Sequence, residues 1–252
     1  MTAGIGPSVA LVLSAAAAAL AQVPAPTAPA TTPLVGKTVH IDAGHNGGNA
    51  GAPSTINALV DAGGGVRKAC DTTGAQTNDG TLTEARFNLD VALRLRRLLR
   101  VEGAKVVMTR TTNTGVGPCI TERAAIGNDA GADAALSIHA DGGPPGGRGF
   151  HVIRPEGVDG QSEAMLRASD GLGRKLRAAL KAKGYRTATY IAKNGLDRRD
   201  DLGGLNLSVV PKVFVELGNM RSAADARLLK SAAQRQRMAQ ALAAGITAQL
   251  GG

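Results

Sequence analysis

From residue 37 onward, short apolar runs alternate with longer stretches whose apolar positions recur every three or four residues. Thr38–Asp42, Val106–Thr109, Ala135–Ile138 and Val213–Leu217 are β-branched or aliphatic and predict strands. Glu84–Glu102, Thr121–Asp129, Gln161–Lys183 and Ala223–Leu250 have helical spacing. In the first helix Phe87, Val91, Leu95 and Leu98 form an inner stripe, with Arg86, Arg94, Arg97 and Arg100 outside it. Strands separated by helices predict an α/β fold: a mostly parallel open sheet with right-handed crossovers and helices on both faces. Residues 46–81 break the pattern. They lack a strong period and are rich in glycine, so they read as a long insertion or hairpin, of the kind that tends to be functional.

The first 36 residues carry no Asp, Glu, Lys or Arg. The apolar run Val9–Ala21 falls short of the roughly 20 residues that span a bilayer. It fits the core of a secretory signal, with Ala19-Leu20-Ala21 as a small-x-small cleavage site, although no Lys or Arg precedes it. Pro24, Pro26, Pro29 and Pro33 then predict an extended linker. The division expected is a signal over 1–21, a linker over 22–36 and one catalytic-sized domain over 37–252, exported and without a membrane span. In an exported protein Cys70 and Cys119 would pair, closing a long loop worth about 4 kcal/mol on a chain-entropy estimate.

Charge narrows the partners. Lys and Arg outnumber Asp and Glu by 29 to 20, a net +9 that favours an anionic polymer or surface. Only Phe87, Phe150, Phe214, Tyr185 and Tyr190 are aromatic, which argues against single-strand nucleic-acid binding and against sugar modules that stack on rings. The arginines of residues 94–100 read as a solvated helix face, and no nucleic-acid motif accompanies them.

The candidate chemistry sits at strand ends, which border the ligand crevice of an open α/β sheet. His45 follows the first strand, His139 the third, and Glu216 ends the fourth; Glu84 opens the helix after the insertion. Two imidazoles and a carboxylate are a common hydrolytic zinc set with a position left open, and a further carboxylate suits a general base. The spacings match no compact metal motif, and there is no HExxH. Plainer roles stay open. Glu84 stands three residues after Thr81, a capping-box spacing, and the histidines would serve as hydrogen-bonded turn residues. Glu216, between Val215 and Leu217, needs a partner or a task.

Five blocks in order carry a resemblance: VHIDAGHNGG (39–48), TEARFNLDVALRLRRLL (83–99), VVMTR (106–110), ERAAIGNDAGADAALSIHAD (122–141) and VFVELGN (213–219). Together they resemble the zinc-dependent N-acetylmuramoyl-L-alanine amidases of the AmiC-like family, from about Thr38 to the C-terminus. The resemblance implies that His45, Glu84 and His139 hold one zinc per chain and that Glu216 is the catalytic glutamate. It implies cleavage of the amide between the lactyl group of N-acetylmuramic acid and L-alanine, in wall remodelling and septum cleavage. Peptidoglycan and muramyl peptides would be the partners, with anionic wall polymers attracted by charge. The expected form is a monomer in the periplasm or cell wall, or secreted, with no appended wall-binding module. Two departures are visible: Ala43 and Asn46 alter the first block, and Asn219-Met220 replace a common aromatic, which would reshape the groove wall. The alternatives are a catalytically inactive wall-binding or regulatory module, or a metal-independent muramidase using Glu84 and Glu216. A Cys70–Cys119 bridge would staple the insertion to the loop after Val106–Arg110.

Overall fold

The computed structural model describes residues 1–4, 6 and 32–251. The signal run, its cleavage site and Pro24, Pro26 and Pro29 lie outside the described residues. The sheet begins with β1 (Thr38–Ala43), followed by α1 (Pro53–Ile56) and a hairpin, β2 (Leu59–Asp61) and β3 (Arg67–Ala69). Then come α2 (Glu84–Val101), β4 (Lys105–Met108), α3 (Ile120–Asp129), β5 (Ala134–Asp141) and β6 (His151–Pro155). The chain ends with α4 (Glu163–Ala182), β7 (Leu196–Arg199), α5 (Gly203–Asn206), β8 (Lys212–Asn219), α6 (Ala223–Lys230) and α7 (Ala232–Leu250).

Six strands form one sheet in the order β4-β1-β5-β8-β6-β7, parallel except where β6 meets β8. Helices α2, α4 and α7 pack together on one face, and α3 and α5 cover the other. The main core lies on the first face, where Phe87, Val91 and Leu95 of α2 and Leu172, Leu176 and Leu180 of α4, all fully buried, share one cluster with α7, against which both helices pack. The helical period places Leu99, not Leu98, in the innermost row, because four residues after Leu95 completes the turn.

Three local expectations are corrected. The helix over 223–250 breaks at Ser231, whose backbone is extended and whose hydroxyl accepts the Gln234 N–H to start α7. The Thr81–Glu84 capping box does not form: Thr83 is the N-cap, Glu84 is the first helical residue, and Thr81 bonds Asp79 instead. The folded unit begins before Lys37, since Leu34 is fully buried in the core and its N–H reaches Glu102 O at 2.9 Å. Among the described residues no helix is long and apolar enough to cross a membrane.

The insertion is anchored as expected. Cys70 and Cys119 form a disulfide, and Cys119 is also the N-cap of α3, whose first N–H (Ile120) donates to Cys70 O at 2.7 Å. Reducing this bridge should lower stability by about 2–4 kcal/mol, or roughly 5–15 °C in Tm. Thermal unfolding with and without reductant checks this, with Cys70→Ser as the control. An unchanged Tm, or two titratable thiols in protein made under oxidising conditions, would remove the bridge from the account.

Candidate metal centre

Side chains alternate along a strand, and that alternation decides which residues reach the cleft. Val39, Ile41 and Ala43 of β1 enter the main core, leaving His40 and Asp42 on the α3 face. On β5, Leu136, Ile138 and Ala140 go inward while Ser137, His139 and Asp141 line the cleft. On β8, Val213, Val215 and Leu217 go inward while Phe214 and Glu216 line it. His139 and Glu216 are register partners across β5 and β8, so they stand side by side.

His45 lies just past β1 with φ of 56°, a strained value for a residue with a side chain. Gly44 before it has no alternative, because a Cβ there would come within 2.2 Å of the His139 ring. Glu84, on the first turn of α2, points its Oε1 between the two rings, 3.2 Å from His45 Nε2 and 2.9 Å from His139 Nδ1. The three ligand atoms lie within 4.8 Å of one another, a cage of metal-binding size. The structure thus brings His45, Glu84 and His139 together from three distant segments.

Each imidazole is held by its other nitrogen. His45 Nδ1 faces Asp71 Oδ1 and Thr72 O, both at 3.2 Å. His139 Nε2 faces Ser137 Oγ at 3.2 Å, and Ser137 in turn donates to Asp42 Oδ2 at 2.9 Å. With a cation bound in the cage, this pattern would place the proton of His45 on Nδ1 and that of His139 on Nε2, leaving His45 Nε2 and His139 Nδ1 as donors to it. The Glu84 Oε2 accepts the Ala75 N–H at 2.7 Å, so one oxygen is anchored and the other faces the rings.

Electrostatics show what the cage is built to hold. Burial would lower the His45 pKa, but the Glu84 charge and the Asp71 hydrogen bond override it and push it up to about 10. Burial likewise opposes the Glu84 charge, yet the two histidines hold its carboxyl well below the usual carboxylate range. Two carboxylates converging on one imidazole favour a positive charge there, which a protonated His45 supplies and a bound cation could replace.

Glu216 differs. Its Oε2 is buried with no hydrogen-bond partner among the described residues, and burial, then the charges of Glu84 and Asp141, push its carboxyl well above the usual range. Such a group holds a proton more readily than an ordinary carboxylate.

Beneath the cage lies a network that the sequence did not single out. Arg123 of α3 donates to Asp42 Oδ1 at 2.9 Å and to Asp71 Oδ2 at 3.0 Å, and also to the carbonyls of Ala43, His45, Gly117 and Pro118. One guanidinium therefore braces both acids that support the histidines. The fully buried Lys212 is 3.3 Å from Asp42 Oδ2. Against burial, Lys212 and Arg123 keep the Asp42 carboxyl well below its ordinary range. His40 completes the chain through Thr109 Oγ1 at 3.0 Å, and burial with the Lys212 charge lowers its pKa to about 4, so it is neutral at pH 7. Asp42, Ser137 and Arg123 lie inside the sequence blocks above, but nothing near Asp71 except Cys70 marks it.

Comparison with known proteins settles the family. A family model described as N-acetylmuramoyl-L-alanine amidase matches residues 39–248. The chain belongs to this amidase family. It is 40% identical over 218 residues to the N-acetylmuramoyl-L-alanine amidase Rv3717 of Mycobacterium tuberculosis, covering 84% of this chain and 86% of that one. The crystal structure of the N-acetylmuramyl-L-alanine amidase Ami1 from Mycobacterium smegmatis superposes with a TM-score of 0.81 at 41% identity, covering 86% of this chain and 98% of the other. The apo form of Ami1 from Mycobacterium abscessus gives 0.79 at 43% identity, covering 86% and 100%.

In this amidase the cage opens into a cavity of about 660 Å³. Phe214 lines it and stacks on His139 with ring centroids 5.1 Å apart. The hairpin contributes Leu59, Arg67 and Lys68, and Arg199 and Leu202 line the cavity with them. The two departures from the family blocks also find their places. Asn46 is buried and ties the first loop to Gly117 O at 2.9 Å, while its own carbonyl accepts the Gly47 N–H. Met220 lies in the main core and Asn219 bonds Pro144 O and Gly147 O, so neither lines the groove as expected.

Proposed function

We propose that this chain is a zinc-dependent peptidoglycan hydrolase that cleaves the amide between the lactyl group of N-acetylmuramic acid and L-alanine of the stem peptide. One observation carries the reading: a three-donor cage, its ligand atoms within 4.8 Å of one another, shares a cleft with Glu216, whose buried Oε2 has no hydrogen-bond partner among the described residues. His45, Glu84 and His139 would hold one zinc. Bound there, zinc supplies Lewis acidity, making water nucleophilic near neutral pH and polarising the amide carbonyl. Glu216 takes the proton from the attacking water and returns it to the departing L-alanine nitrogen, which a carboxyl of raised pKa does readily. Phe214 packs flat on His139 and fixes the ring plane beside the reacting groups.

Neither alternative is favoured. A muramidase would need Glu84 free to act on a glycosidic bond, whereas both of its oxygens are engaged by the histidines and the Ala75 N–H. An inactive module would not need a proton carrier kept unpartnered. Mass spectrometry of muramyl-peptide digests decides among them. The amidase reading expects free stem peptides and lactyl-terminated glycan, lost on chelation and restored by zinc. New reducing ends that survive chelation would point to the muramidase, and wall binding without turnover to the inactive module. Export through residues 1–21, wall polymers as anionic partners and a role in septum cleavage belong to the same proposal.

The Asp71 brace gives a further expectation. Asp71→Asn should weaken zinc binding by about 10–100-fold, with turnover recovering at saturating zinc. Chelator competition measures this. Unchanged affinity would mean that Asp71 serves only to pair with Arg123.

A further inference from the structure

A second cavity, of about 600 Å³, lies beside the first, and both are walled by Gly74 and Ala75. This ridge abuts the cage. Gly74 has φ of +73°, and a Cβ there would come within 2.7 Å of His45 Cδ2 and 2.8 Å of Glu84 Oε2. Ala75 gives its N–H to Glu84. The two cavities therefore meet where the bond to be cut must lie, and the ridge between them carries the smallest side chains available.

Their chemistry differs. The far wall of the larger cavity is cationic: Arg67, Lys68 and Arg199 are opposed there by Asp201, which pairs with Lys68 at 2.8 Å and Arg199 at 2.7 Å. The smaller cavity is lined by amides, hydroxyls and backbone, with no carboxylate and with Arg221 as its one charged lining residue. Gln76 and Thr83 make no side-chain hydrogen bond among the described residues, and Thr83 leaves its hydroxyl free although it is the N-cap of α2.

Resting on the amidase reading above, the substrate has two unlike halves. The stem peptide bears free carboxylates. The sugar is neutral, hydroxylated and N-acetylated, its own carboxyl being consumed in the scissile amide. Charge sorts the halves between the cavities. We infer that the cavity lined by Gln76, Thr83 and Arg221 is the subsite for the N-acetylated sugar, and that the larger cavity takes the peptide. With no aromatic side chain in its lining, the sugar is recognised by hydrogen bonds: a primary amide offers the donor and acceptor that an acetamido group needs.

The test uses the halves separately on the full chain. The probe is peptide-free N-acetylglucosaminyl-N-acetylmuramic acid, its lactyl carboxyl capped as the primary amide so that it is neutral like the sugar half of the substrate. Titrated at millimolar concentration and followed by NMR, it should shift the Gln76 and Thr83 amides. Gln76→Ala should raise its Kd about tenfold, the worth of one well-placed hydrogen bond. Free stem peptide should instead shift Arg67 and Arg199. A disaccharide that perturbs the Arg67–Arg199 wall, or that binds Gln76→Ala as tightly as the parent, overturns the assignment. So does a disaccharide that fails to bind while muramyl peptide is still cleaved, leaving the amidase reading intact. Binding at Gln76 with no cleavage of muramyl peptide under zinc sinks the amidase reading and keeps the sugar site.

Discussion

Glu216→Gln should keep about one zinc per chain and still bind muramyl peptide, while turnover falls by roughly two to four orders of magnitude. The glutamine keeps the volume and some hydrogen bonding but cannot accept a proton at neutral pH. Removing the carboxylate should not disturb the cage, because Glu216 Oε2 bonds to nothing among the described residues and the ligand atoms converge without it. Metal analysis beside single-turnover kinetics separates the outcomes. If zinc leaves with the carboxylate, Glu216 is a ligand. If turnover persists with zinc bound, another group moves the proton and the mechanism above is wrong.

The second large effect is expected at Glu84. Glu84→Gln should cost more zinc affinity than the roughly 10–100-fold typical of losing an outer support, and activity should go with it. Its Oε1 stands between both imidazoles, so an amide in its place removes the anionic donor and sets a neutral dipole against two lone pairs. The fold should survive. Glu84 is the first residue of α2 but not its cap, and a charge near a helix N-terminus is worth about 0.3–1 kcal/mol. Zinc content measured alongside circular dichroism tests both halves. Full metal occupancy in this variant would remove Glu84 from the site, and His45→Ala and His139→Ala are judged by the same criterion.

The central strands β1, β5 and β8 were legible because they are largely buried on both faces and read as apolar runs, and the edge strand β4 was legible from its run Val106-Val107-Met108. The strands β6 and β7 carry no such mark. Leu196-Asp197-Arg198-Arg199 is an edge strand defined by its pairing with β6, and its charged residues hide it from any apolar pattern. The break at Ser231 was equally hidden, since apolar spacing runs through it and only the cap geometry reveals two helices. At the site, His45 and Glu84 were visible because each stands at an element end, whereas His139 and Glu216, expected at strand ends, lie within β5 and β8, which run on to Asp141 and Asn219. Asp71 was not visible, because its importance depends on a fold that brings the insertion beneath His45. Arg123 lies in a predicted helix with nothing in the sequence to single it out, and its burial and its bonds to Asp42 and Asp71 reveal its part.

A guanidinium shared between the two histidine supports makes metal capture a record of folding order. Asp42 comes with the first strand, Arg123 arrives 81 residues later, and Asp71 neighbours the cysteine that the disulfide fastens to the start of Arg123's helix. Until these have met, neither imidazole has its far nitrogen held, and a nascent chain presents two histidines without their supports. On the zinc reading proposed above, affinity for the ion should therefore track how well these supports fit together, and loss of the Cys70–Cys119 bridge should register in metal binding as well as in Tm.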